Sequence, residues 1–200
     1  MRHLAVFASG NGTNLQAIID ATESGHLQNT RVSVVLSDHK DAFALQRALR
    51  HAIPTIYHPY WPYREMGRER REYDADLARL LSVYPVDLVI LAGWMRILSM
   101  SFLQHYPGRV LNIHPALPGA FPGTHAIERA YAAFRRGEIR ETGVMVHYVP
   151  DEGVDNGPVI ISERVPIYED DTLDTLEARI HQVEHRIYIK AIARALERCD

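Results

Sequence analysis

The 200-residue chain has a single cysteine, no basic excess and no long apolar run. Each absence narrows the reading. Cys199 alone cannot form an intrachain disulfide, so a reducing cytoplasm is the expected compartment. With 22 Lys and Arg against 25 Asp and Glu, the net charge is −3. A general nucleic-acid binder would carry the opposite balance, so no nucleic-acid partner is expected. No apolar stretch approaches the ~20 residues that a membrane-spanning helix needs, so no membrane partner is expected either. Only Met1-Arg-His precedes the first apolar run, and no targeting segment is expected there. Internal repeats and low-complexity linkers are also missing. The length and the 46% hydrophobic content fit one globular domain spanning 1–200.

What is present alternates. Apolar runs at Leu4 to Ala8, Val32 to Leu36, Pro54 to Tyr57, Val86 to Ala92 and Val110 to Ile113 read as strands. Between them lie helical spacings at 15–19 and 41–50, one long helix from about Arg64 to Ser82, and a short one at 99–105. A helix over 124–136, a strand over 142–149, further strand at 159–161 and 164–167, and a final helix from about Asp170 complete the chain. This pattern predicts an α/β fold: a mostly parallel, helix-covered sheet with an antiparallel C-terminal addition.

Three strand ends carry chemistry. Ser9-Gly-Asn-Gly-Thr-Asn14 lies between a strand and a helix, the layout of an anion site, where backbone N–H groups at the helix start face a phosphate. It is neither a full dinucleotide fingerprint, lacking a third glycine, nor a P-loop, lacking Gly-Lys-Ser/Thr. A tight turn with Thr13 or Asn14 as helix cap fits it equally well. Gly93-Trp-Met-Arg-Ile-Leu98 brings a turn, an aromatic ring, a thioether and a guanidinium to a second strand end. Such a mixture suits a flat heterocycle with a polar edge, or simple packing. At the third end Asn112 and His114 leave the sheet on one face, and Pro115 stops the strand. The amide can donate to a developing oxyanion and the imidazole can move protons near neutrality. Downstream, Asp151-Glu-Gly-Val-Asp-Asn-Gly-Pro158 is a carboxylate-rich loop.

His181-Gln-Val-Glu-His185 has the spacing of an inverted zinc-protease motif. Helix phase argues against it. With Ile180 at the centre of the apolar stripe, Glu184 falls about 40° away, at the rim, while His181 and His185 fall about 100° and 140° away, towards solvent. No third ligand is evident downstream beyond Glu197 and Asp200, so no metal is expected.

In their order and spacing, Ser9 to Gln16, Leu91 to Leu98, Asn112 to Pro115 and Asp151 to Pro158 resemble the phosphoribosylglycinamide formyltransferase family, over essentially the whole chain. The resemblance implies a single Rossmann-like formyltransferase domain. Its N-terminal half, about 1–100, would bind the substrate's phosphate, and its second half, about 86–200, would hold folate and the catalytic groups. It implies transfer of a formyl group from 10-formyltetrahydrofolate to the amine of glycinamide ribonucleotide, without a metal. Gly12, Thr13, Asn14 and Glu184 match the substrate-binding positions. Arg70, Met95, Arg96, Ile97, Leu98, Asn112, Asp151, Glu152, Gly153, Val154 and Asp155 match the folate pocket. Asn112, His114 and Asp155 match the catalytic trio, with Asp155 expected to keep His114 cationic near neutrality.

Two departures stand out. His114-Pro-Ala-Leu-Pro-Gly119 places its second proline one position early, and the segment from His147 to Asp155 is one residue longer than in many members. Small-molecule substrates, and a monomer or homodimer, are the expected partners. The alternatives are a 10-formyltetrahydrofolate hydrolase, or another folate-dependent N-formyltransferase acting on tRNA or a sugar nucleotide. Those families carry additional domains that this chain is not expected to have. A phosphometabolite-binding module without activity is disfavoured by the intact trio.

Overall fold

In the computed structural model, residues 1–198 are described, and Cys199 lies outside them. Seven strands form one sheet in the order β3-β2-β1-β4-β5-β6-β7. β1 (Arg2–Phe7), β2 (Thr30–Ser37), β3 (Thr55–Tyr57), β4 (Leu88–Leu91) and β5 (Val110–His114) pair in parallel. β6 (Glu141–Tyr148) and β7 (Val159–Pro166) add the antiparallel edge. The helices are α1 (Thr13–Glu23), α2 (Phe43–Arg50), α3 (Trp61–Glu65), α4 (Arg70–Leu81), α5 (Met100–Leu103), α6 (Ala126–Arg135) and α7 (Leu173–Glu197). Among the described residues no helix is long and apolar enough to cross a membrane.

The period of two along β1 separates two cores. Leu4 and Val6 join Leu15 and Ile18 of α1 and Ile180 and Ile187 of α7 on one face. Ala5 and Phe7 join Tyr73 and Leu77 of α4 and Phe102 of α5 on the other. Both faces of the parallel strands are therefore covered, as their near-continuous apolar runs require. Because β1, β4 and β5 are parallel neighbours, their carboxyl ends deliver the three candidate loops to one edge of the sheet.

Several local expectations shift. The single helix over 64–82 is two, α3 and α4. The chain turns between them, with the Arg68 N–H bonded to the Tyr63 carbonyl at 2.8 Å. α4 then starts afresh, the Glu72 carboxylate accepting from the Glu69 N–H at 3.0 Å. β7 is one continuous strand rather than two pieces. α1 is capped by Gly12 in the left-handed region (φ 77°), not by the Thr13 or Asn14 side chain. A Cβ at Gly12 would lie 2.8 Å from that of Ala44, so the loop packs flush on α2.

Candidate active site

At the end of β5 the trio converges. The Asp155 carboxylate faces His114 Nδ1 at 3.2 Å and accepts from Asn112 Nδ2 at 3.1 Å. It also accepts the Gly123 backbone N–H at 2.8 Å. A fourth group, absent from the sequence-based set, completes the cluster. His147 stands opposite Asn112 in the β5–β6 register. Its Nδ1–H donates to the Tyr148 carbonyl at 2.8 Å, and its Nε2 lies 3.3 Å from Asn112 Nδ2 and 3.5 Å from Asp155 Oδ1.

The pKa of His114 also runs against the expectation. Burial pushes its pKa down, and this outweighs Asp155 and the Phe121 carbonyl, which push it up. Burial thus works against the cationic ring that the resemblance implies. A neutral imidazole has one N–H but two oxygen neighbours here, Asp155 at Nδ1 and the Phe121 carbonyl at Nε2, 3.0 Å away. The carboxylate is the stronger acceptor and takes the proton at Nδ1. Burial alone would raise the Asp155 pKa. The His147 ring, the Gly123 N–H and His114 together overcome that and hold it below the ordinary value, so Asp155 stays ionised.

A cavity of about 520 Å³ opens over this cluster. Met95, Arg96, Ile97 and Leu98 form one side, and Asp151 with Gly153 to Asp155 another. Met95, Ile97 and Val154 are 66%, 42% and 43% exposed, apolar surface turned to the cavity rather than to the core. Arg96 borders the slot, but its Nε is bound by the buried Asp38 at 2.6 Å. Asp38 also accepts from Ser9 Oγ at 2.7 Å, and Ser9 Oγ accepts from the Met95 N–H at 3.1 Å. The first and second loops are therefore bolted together. Arg70 and Glu152, expected as separate pocket groups, pair with each other at 2.5 Å outside the cavity lining.

The phosphate end is adjacent. α1's first turn, Thr13 to Leu15, presents N–H groups with no intrahelical acceptor. Asn14 Nδ2 donates to Glu184 at 3.2 Å, and Glu184 is bonded to His181 Nδ1 at 2.8 Å. His181 borders the cavity, so Asn14, Glu184 and His181 join the glycine loop to the slot. Glu184 is only 4% exposed, deeper than its rim phase predicts, because α1 packs over that side of α7. Hydrogen bonding to Glu184 raises the His181 pKa against burial. No group of three or more His, Cys, Asp or Glu able to hold a metal occurs among the described residues.

The profile of the formyl transferase family matches residues 2–192. The phosphoribosylglycinamide formyltransferase of Schizosaccharomyces pombe is 47% identical over 196 residues, covering 94% of each chain. That of Escherichia coli is 42% identical over 186 residues, covering 93% of this chain and 83% of that one. The crystal structure of phosphoribosylglycinamide formyltransferase from Bacillus halodurans superposes with a TM-score of 0.90 at 39% identity, over 100% of this chain and 97% of that one.

Proposed function

The chain belongs to the formyl transferase family, and from that membership and the geometry of its site we propose that it formylates the amine of glycinamide ribonucleotide in purine synthesis, with 10-formyltetrahydrofolate as donor. The observation that carries the reading is the meeting of Asp155 with both His114 and Asn112 beneath a slot whose Met95 edge is bonded to Ser9 of the glycine loop. The slot fits a folate: it offers flat apolar walls at Met95, Ile97 and Val154 and polar edges at Arg96 and Asp151. The donor supplies an activated formyl carbon bonded to a nitrogen that can leave.

The residues of this chain do the rest. The first turn of α1, from Gly12 through Thr13 and Asn14, holds the substrate's phosphate, and Glu184 fixes the ribose side. Attack requires a neutral amine. As it attacks, negative charge grows on the formyl oxygen, and the Asn112 amide turns from its resting partners to donate there. The His114–Asp155 pair can accept the amine's proton. The Asp155 carboxylate stabilises the imidazolium that forms. The proton held on this pair then passes to the departing folate nitrogen, so the balance closes without a covalent enzyme intermediate. One domain of 1–200 suffices: a phosphate-binding half over about 1–100 and a folate and catalytic half over about 86–200. Every residue invoked belongs to one chain, and the reading holds for a monomer or a homodimer alike. The reducing cytoplasm suits a chain with a single cysteine.

The test is to incubate the protein with 10-formyltetrahydrofolate, with and without glycinamide ribonucleotide, and follow donor loss and product mass. Donor loss that depends on the ribonucleotide, with a formylated product, supports the reading. Equal loss without it identifies a hydrolase instead, and no loss in either arm overturns formyl transfer.

A further inference from the structure

The turn between His114 and α6 is built from unfavourable backbone. Phe121 and His125 both lie in the left-handed region, at φ 46° and 57°, although neither is glycine. Such positions persist only where surrounding contacts hold them. One side chain supplies most of those contacts. Arg129 Nη2 donates to the Phe121 carbonyl at 2.7 Å and to the Pro122 carbonyl at 2.6 Å, and its Nε reaches the His125 carbonyl at 3.3 Å. The Phe121 carbonyl is the same atom that faces His114 Nε2 at 3.0 Å.

This shared oxygen links a surface cation to the buried ring. We propose that Arg129 is a positioning residue that shares the Phe121 carbonyl with His114 and thereby disfavours the doubly protonated ring. The inference rests on the reading of His114 as the group that accepts the amine's proton. Left to itself, a buried carbonyl 3.0 Å from a ring nitrogen would draw a proton onto that nitrogen and hold it. A guanidinium donating to the same oxygen occupies one of its two lone pairs and weakens the other as an acceptor. It also places a positive charge within about 6 Å of Nε2, which opposes an imidazolium. The other groups around the ring pull both ways. Asp155, from the loop after β6, favours the cation, while His147 on β6 opposes it. The backbone of Ala120 adds a second favourable contact, and Glu177 and His181 of α7 border the same cavity. Arg129 is the member of this set that also fixes the turn.

The experiment is to titrate His114 by NMR of its ring carbon in the free protein, in the native chain, Arg129→Met and Arg129→Lys. Removing the cation in Arg129→Met is expected to move the His114 midpoint up by roughly half to one pH unit. Arg129→Lys keeps the charge and is expected to stay nearer the native midpoint. In turnover, Arg129→Met should lose kcat most strongly at acid pH, several-fold, and progressively less as pH rises, with the KM for both substrates little changed. A merely structural role would lower activity at every pH and leave the midpoint in place. An unmoved midpoint in Arg129→Met, or a downward one, overturns the proposal, as does an Arg129→Lys chain titrating like Arg129→Met. Because the NMR arm needs no turnover, it separates failure of this inference from failure of the formyl-transfer reading.

Discussion

Replacing Asp155 by Asn removes a charge while keeping shape and backbone. Residue 155 has φ 51°, and Asn tolerates the left-handed region as Asp does, so the loop should close as before. The Gly123 N–H keeps an oxygen to bond. What disappears is the anion beside the ring. At the 3.2 Å separation of Asp155 and His114, a unit charge pair at an effective dielectric of ~20 is worth about 5 kcal/mol. The amide dipole of Asn recovers part of this. About 3–4 kcal/mol of support for the transient imidazolium is then lost, which corresponds to roughly 10²–10³ in kcat. Neither substrate is bound chiefly through this carboxylate, so each KM should stay within a few-fold. Rapid-quench measurement of single-turnover formyl transfer, beside a thermal melt to show that the fold is intact, reads both quantities. A variant that folds and turns over within a few-fold of the native chain would remove Asp155 from proton handling and refute the reasoning.

Gly12→Ala should cost about 2–4 kcal/mol, from a left-handed backbone and a Cβ only 2.8 Å from that of Ala44; denaturant melts and a raised KM for the phosphorylated substrate, at unchanged KM for the donor, check it. Asp171 is held well below its ordinary pKa, first by the Arg179 guanidinium, whose nitrogens lie 2.6 and 2.7 Å from its oxygens. A carboxylate with a depressed folded pKa stabilises above its unfolded value and loses that contribution as pH falls. Asp171→Asn should therefore cost about 1–3 kcal/mol at pH 7 and progressively less below its ordinary 3.8, measured as urea midpoints against pH; a gap that widens on acidification contradicts the sign. Asp38→Asn breaks the pair with Arg96 and slackens the bond from Ser9. It should weaken donor binding and cost about 1–3 kcal/mol, less than a fully buried pair because Arg96 is 30% exposed; unaltered donor affinity by calorimetry would show that the bolt does not shape the slot.

The period of hydrophobicity revealed the parallel strands and their loops, because a strand covered on both faces must be apolar along its length. Asn112 and His114 were legible together for the same geometric reason: a period of two puts them on one face. What escaped depends on contacts between distant parts of the chain. Glu184 lies at the rim of α7 by phase alone, and only the packing of Asn14, 170 positions earlier, buries it. Arg70 and Glu152 carry no mark that they pair across 82 residues. The lowering of the His114 pKa follows from burial, which no local pattern reports. His147 had a usable signal, since antiparallel pairing of β5 with β6 in this register sets it opposite Asn112. The split between α3 and α4 was also readable, in Glu69 three positions before Glu72 at a helix start.

The antiparallel edge explains why the trio needs unusual backbone. A parallel strand after β5 would release its following loop at the same end as His114. β6 runs the other way, so Tyr148 sits level with Leu111, and the Val149 N–H bonds the Val110 carbonyl at 2.9 Å. The loop that carries Asp155 therefore emerges near the start of β5 and must fold back along the sheet to reach His114. Two features allow the return. Asp155 turns in the left-handed region, and Gly157 lies so close to the Tyr148 carbonyl that any Cβ would overlap it. The Tyr148 N–H then bonds the Pro158 carbonyl at 2.9 Å, closing the loop on its own strand. The carboxylate is thus delivered by a fold-back tied down at both ends, while the imidazole and amide are delivered by β5. On the proposed mechanism a proton passes within this site only while those two deliveries stay in register, which would make the β5–β6 pairing as much a part of the catalytic apparatus as the three side chains it aligns.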